Sequence, residues 1–191
     1  TMNFLGHLYF SNNNLDLMVA NLFGDFCKGK SYLSYPIETQ RGVLLHREID
    51  SYIDNHAEVL AVRKELYASL PKVSGIAIDL YFDHLLAKHW HMFHDLTLED
   101  FLSLFYKHTL SINGTYPNEF VHFITKLRES QWMNHYPSAY GFQKSCEGVS
   151  RRLSFDNELK NAPKLILPYE AVLFKVFRVY MNDAQTRFNG A

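Results

Sequence analysis

The chain has 191 residues, of which 47% are hydrophobic and 15% aromatic, and its formal net charge is −1. That length suits one domain with a sizeable core, and so small a charge gives no global electrostatic footprint for nucleic acid or a membrane surface. Two distant cysteines, Cys27 and Cys146, exclude a cysteine-based zinc site and a disulfide framework.

Helical periodicity dominates the chain, and no stretch shows convincing strand alternation. Asn3 is placed to cap a short helix, Phe4–Phe10, which the Asn12–Asn14 run breaks. A second helix is predicted from about Leu15 to Gly24, and Gly29 looks like a stop after Asp25-Phe26-Cys27-Lys28. Beyond a loop rich in Tyr and Ser, Glu38 to about Asp54 forms a third helix and Ala57–Leu70 a fourth, closed by Pro71. The fifth carries Asp79, Asp83 and His84. Thr97 with Asp100 makes a capping box that opens a sixth, and Pro117 precedes a seventh around Asn118–Asn134. Pro137 and Ser138 open an eighth running to about Phe155; Pro168 starts the last, which Asn189-Gly190 ends. The expectation is a single all-α domain over residues 1–191, of about nine helices, without repeats or linkers. The first residues lack the basic start of a signal peptide, and no uncharged apolar run reaches the roughly 20 residues of a membrane helix, so a cytoplasmic protein with no nucleic-acid or membrane partner is expected.

Two segments set acids and imidazoles into apolar helical sequence, Leu44–Asp54 and Ile78–Trp90. Helix geometry puts His46 and Asp50, at i and i+4, on one face, and does the same for Asp79 and Asp83. A buried carboxylate costs several kcal/mol unless it is paired or metal-bound, so these helices read as presenting ligands to a cleft. His7 and Asp25 complete four candidate segments. Each residue also has a plainer reading: His7 as a satisfied core histidine, Asp25 as a cap, His46 with Asp50 as one surface pair. Asp79 and Asp83 resist it, because like charges one turn apart repel unless a cation lies between them. His89, His91 and His94 suit a helix C-terminus, and the single Glu119-x-x-His122 falls short of a di-iron motif. Mixed imidazole and carboxylate donors suit Mn, Fe, Zn or Mg. No phosphate loop, serine elbow or Cys–His nucleophile pair is present.

Four stretches together resemble the acyl carrier protein phosphodiesterase family, a divergent branch of the HD metal-dependent phosphohydrolases: Asn3–Leu8, Gly24–Gly29, Leu45–Asp50 and Asp79–Ala87. Gly6 stands where that family often has Ala, and Cys27 where it often has Val. The Asp83-His84 order departs from the usual His-Asp pair. The resemblance implies an HD-phosphohydrolase-like helical fold and a divalent cation, Mn²⁺ before Mg²⁺ or Fe²⁺. It also implies hydrolysis of the phosphodiester between 4′-phosphopantetheine and a serine of holo-acyl carrier protein. On this reading Asp25, His46, Asp83 and His84 lie nearest the metal, while His7, Asp50 and Asp79 orient ligands or move protons. Lys28, Arg41 and Arg47 are expected to bind the substrate, with Arg63 and Lys64, and Arg151 and Arg152, as further basic candidates for docking an acidic carrier. The alternatives are an HD-type enzyme acting on a small nucleotide or phosphate ester, and a binding module without turnover.

Overall fold

The computed structural model describes residues 3–112 and 114–189, in which there are ten α-helices and no strands. They are α1 (Phe4–Tyr9), α2 (Leu15–Phe23), α3 (Ile37–Asn55), α4 (Ala57–Leu66), α5 (Ser74–Lys88), α6 (Leu98–Thr109), α7 (Asn118–Ser130), α8 (Ala139–Arg152), α9 (Ala162–Leu165) and α10 (Glu170–Phe188). α9 is a single turn with Pro163 near its start, too short for periodicity to signal. Gly190, expected to end the last helix, lies outside the described residues.

The caps follow local chemistry. Asn14 Oδ1 accepts from Leu17 N at 3.0 Å, Thr97 Oγ1 from Asp100 N at 3.1 Å and Ser138 Oγ from Gly141 N at 3.0 Å. Three helices stop earlier than periodicity suggests. The fourth ends at Leu66, and residues 67–70 continue as turn and bend to Pro71. The seventh ends where Gln131 turns left-handed at φ 48°, and the eighth where Leu153 becomes extended. Asn3 occupies the N-cap of α1 but makes no capping bond.

α5 is the central element: Ala77, Ile78, Leu80, Tyr81, Phe82, Leu85, Leu86 and Ala87 are all buried, so it is apolar nearly all round. α1, α4, α8 and α10 pack against it. α2 and α3 lie against each other with unusual intimacy. A Cβ on Gly42 would come within 2.2 Å of Ala20 Cβ and 2.6 Å of its carbonyl carbon, so only glycine permits that approach. The α2–α3 pair and the end of α1 carry the polar site.

Candidate metal centre

His7 comes from α1 and His46 and Asp50 from successive turns of α3; Asp25 comes from the 3₁₀ turn after α2. The two imidazoles stack, with centroids 4.1 Å apart and planes 12° from parallel. Asp50 bridges them: Oδ1 lies 3.1 Å from His7 Nε2 and Oδ2 lies 3.2 Å from His46 Nε2. Asp25 Oδ1 lies 3.1 Å from the same His46 nitrogen. Ligand atoms of His7, His46 and Asp50 all fall within 4.8 Å of one another.

Local packing fixes each of these side chains. Gly24 leaves room for the His46 ring, which would sit 2.4 Å from a Cβ placed there. The carbonyl of His7 accepts from Ser11 Oγ at 2.7 Å and from Asn21 Nδ2 at 3.0 Å, and all three residues are buried. Asn21 therefore ties α2 to α1 at the residue that presents the imidazole. His7 Nδ1 is buried without a partner, so the polar engagement of that ring is at Nε2.

Burial acts against charge on His46, but hydrogen bonds to Asp25 and Asp50 override it and raise the imidazole to about 9. Burial dominates at His7 and lowers it below its ordinary value despite the bond to Asp50. Burial acts to raise Asp50 too, yet the bonds from His46 and His7 hold its carboxyl well below the usual carboxylate range. A proton on His46 thus neutralises charge between two carboxylates. Two imidazole nitrogens converging on carboxylate oxygens are also the donor set of a borderline or hard divalent cation, so the residues present fit such an ion.

The structure brings together four of the seven candidates, His7, Asp25, His46 and Asp50; Asp79 lines an adjoining cleft with Asp50, while Asp83 and His84 engage other partners. Both oxygens of Asp83 receive backbone hydrogens at 2.9 Å, from Leu5 N and Gly6 N. This carboxylate caps α1, the role expected of Asn3. Burial pushes Asp83 up to about 8 while those two amides pull it down. His84 Nδ1 lies 2.7 Å from the carbonyl of Tyr136, and its ring stacks on Phe142 at 5.4 Å, an engagement with the 132–136 turn and α8. Asp79 is half-buried and lines a cleft of about 320 Å³ with Asp50, Asp54, Arg63 and Lys72. Burial, followed by the like charges of Asp54, Asp50 and Asp83, raises Asp79 well above the carboxylate range.

Of the expected substrate-binding cations, Arg47 donates to the carbonyls of Cys27 and Gly29 at 3.2 and 2.8 Å and stacks over Tyr32, bracing the loop after Asp25. Arg41 pairs with Glu38 on the exposed face of α3, and Lys28 is exposed. The cations in the cleft are Arg63 and Lys72. Lys72 was not singled out from sequence. Its signal is conformational, a lysine after Pro71 at φ 66°. Asn21 was missed as well, although a lone amide inside Met18–Phe23 is a recognisable buried polar group.

The model of the family described as acyl carrier protein phosphodiesterase matches residues 2–184. The chain belongs to that family. An acyl carrier protein phosphodiesterase of Klebsiella pneumoniae is 31% identical over 152 residues, 79% of each chain. One of Shigella boydii is 30% identical over the same share, and one of Escherichia coli is 28% identical over 181 residues, 94% of each chain. No solved structure matches this chain. Among the described residues no helix is long and apolar enough to cross a membrane, and Cys27 and Cys146 are free and buried.

Proposed function

We propose that this chain hydrolyses the phosphodiester joining 4′-phosphopantetheine to a serine of holo-acyl carrier protein, giving apo-carrier and free 4′-phosphopantetheine. The observation that carries this reading is the convergence of His7, His46 and Asp50 from two helices in a chain of the phosphodiesterase family. Those three residues would hold a divalent cation, with Mn²⁺ the preferred identity and Mg²⁺ or Fe²⁺ as substitutes. Such an ion supplies a water of lowered pKa and positive charge for the phosphoryl oxygens.

The remaining roles belong to the protein's own groups. Asp25, on His46 but outside the three-residue cluster, is positioned to accept the proton of the attacking water. Arg63 and Lys72 face the cleft and would meet the phosphodiester anion. Asp79, whose affinity for a proton is raised by burial and by neighbouring carboxylates, would give a proton to the serine oxygen as its bond to phosphorus breaks. Asp83 and His84, expected nearest the metal, serve in this reading as supports for α1 and for the 132–136 turn. The convergence of a two-histidine and carboxylate set from separate helices also supports treating the fold as a divergent HD arrangement. A cytoplasmic location, where the carrier would be met, is part of the same proposal.

The test is intact-mass spectrometry of holo-carrier protein incubated with the protein and Mn²⁺. Conversion to the apo mass, abolished by chelator and by His46→Ala or Asp50→Asn, is the expected result. An unchanged carrier with metal bound would overturn the proposal and favour a small phosphate ester as substrate.

A further inference from the structure

A second feature lies away from the histidine cluster. A groove between α1, α7, α8 and the 132–136 turn has two lobes of about 320 and 610 Å³, and both are lined by Phe4, Trp132 and Arg152. Lys144 and Arg151 border one lobe, and Lys126 and Glu129 the other. All four cations are exposed. Four positive groups and one carboxylate thus line a single groove in a chain of formal net charge −1. Lys144 also pairs with Glu147 at 2.9 Å, so Lys126 and Arg151 make the main positive edge. Tyr140 is 60% exposed and Trp132 half-buried, so the groove offers aromatic area inside a basic rim. Aromatic anchors within a charged rim are the anatomy of a protein interface.

Two short links run from the groove toward the candidate metal centre. Phe4 begins the helix that presents His7 one turn later, about 5 Å along the axis. Phe26, next to Asp25, packs on Phe123 of the groove wall with centroids 5.3 Å apart. A standard interface of about 800 Å² per partner is wide enough to span both features.

We infer that this groove is the docking surface for an acidic protein face, that of the carrier substrate, held by Lys126 and Arg151 around the Phe4–Trp132 floor. It rests on the carrier-protein reading for the partner's identity. The charge balance favours an acidic occupant and disfavours groove-to-groove pairing of two copies, since both grooves would be basic. Docking there would bring the carrier's modified serine to the cluster side of α1, and steering by opposite charge would quicken encounter.

The experiment is fluorescence anisotropy of labelled holo-carrier protein binding to the full chain, in chelator so that the carrier survives. The variants are Lys126→Glu, Arg151→Glu and, as an equal charge change on a different helix, Lys175→Glu. The first two are expected to weaken binding about tenfold each and to flatten its salt dependence, while Lys175→Glu leaves it near wild type. Because all three positions are exposed, thermal melts should coincide with wild type. Unaltered affinity in Lys126→Glu and Arg151→Glu, an equal loss in Lys175→Glu, or no binding by wild type overturns the docking surface. If binding is lost in the groove variants but wild type with Mn²⁺ never yields apo-carrier, the docking surface stands and the hydrolytic reading fails. If apo-carrier forms while groove variants bind normally, the reverse holds.

Discussion

The proton on His46 decides much of the local behaviour. In the metal-free protein this imidazole, ordinarily near 6.5, is raised to about 9 by Asp25 and Asp50 against the opposing effect of burial. Between those values the folded state holds a proton that the unfolded chain has released. The stability this contact contributes is therefore fully present below pH 6.5 and is lost as pH rises through about 9. His7 is shifted the other way by burial, so below its ordinary 6.5 the unfolded chain takes a proton that the folded state refuses, and stability falls as pH drops. Imidazole nitrogen chemical shifts should show His46 protonated and His7 neutral at pH 7.5. Since a cation must displace the His46 proton, divalent-metal affinity should rise with pH until about 9. Calorimetric titration of metal in buffers of different ionisation enthalpy should report about one proton released per ion. No proton release, or a neutral His46 in the metal-free protein, would count against this arrangement.

At the scale of elements, α1 is six residues long, far too short to be stable alone, and its first turn relies on a partner 78 residues away. Asp83→Asn can offer one carboxamide oxygen to two buried amides, and its NH₂ faces the other donor. Each unsatisfied buried N–H costs about 1–3 kcal/mol, so this variant should lose about that amount in denaturant melts even without metal. Hydrogen exchange of the Leu5 and Gly6 amides should speed up more than that of α10. If Asp83→Asn instead melts like wild type and only metal affinity falls, the residue acts as a ligand and the capping assignment is wrong. Gly42→Ala tests the neighbouring pair. Its methyl would overlap Ala20, so overpacking should cost about 1–3 kcal/mol and move α3, with His46 and Asp50, away from α2.

Over the whole molecule, the helices that carry the site are tied to an element distant in sequence. His56 at the end of α3 pairs with Asp183 of α10 at 2.8 Å, and Gln185 of α10 donates to Tyr9 of α1 at 2.7 Å. A cation that binds only when α1 and α3 are correctly apposed should therefore stabilise the global fold. At a free concentration 100 times its dissociation constant, the gain is about 2.7 kcal/mol. Thermal melts with and without Mn²⁺ should show a corresponding rise in midpoint that His7→Ala removes. An identical midpoint in both conditions would mean that no ion binds the native state at this cluster.

The architecture was largely written in local sequence. The Thr97 and Ser138 caps are short-range chemistry, and so are the Asn12–Asn14 break and the apolar run of α5, readable without knowing neighbours. The i,i+4 spacing of His46 and Asp50 placed them on one helical face for the same reason. What spacing alone could not decide was the use of a carboxylate. Asp79 and Asp83 share a face by the same rule as His46 and Asp50, yet Asp83 meets the open amides of α1 and Asp79 enters a cleft with Arg63. Which of two equivalent acids faces a cation, an amide or another acid depends on what tertiary packing sets opposite it. That information is absent from the periodicity of one helix. The same holds for Gly24 and Gly42, ordinary small residues in the chain, whose missing side chains matter only because His46 and Ala20 are folded against them. Local sequence determined the helices and the inventory of donors; long-range packing alone determined which donors meet, because a contact between two helices is a property of both.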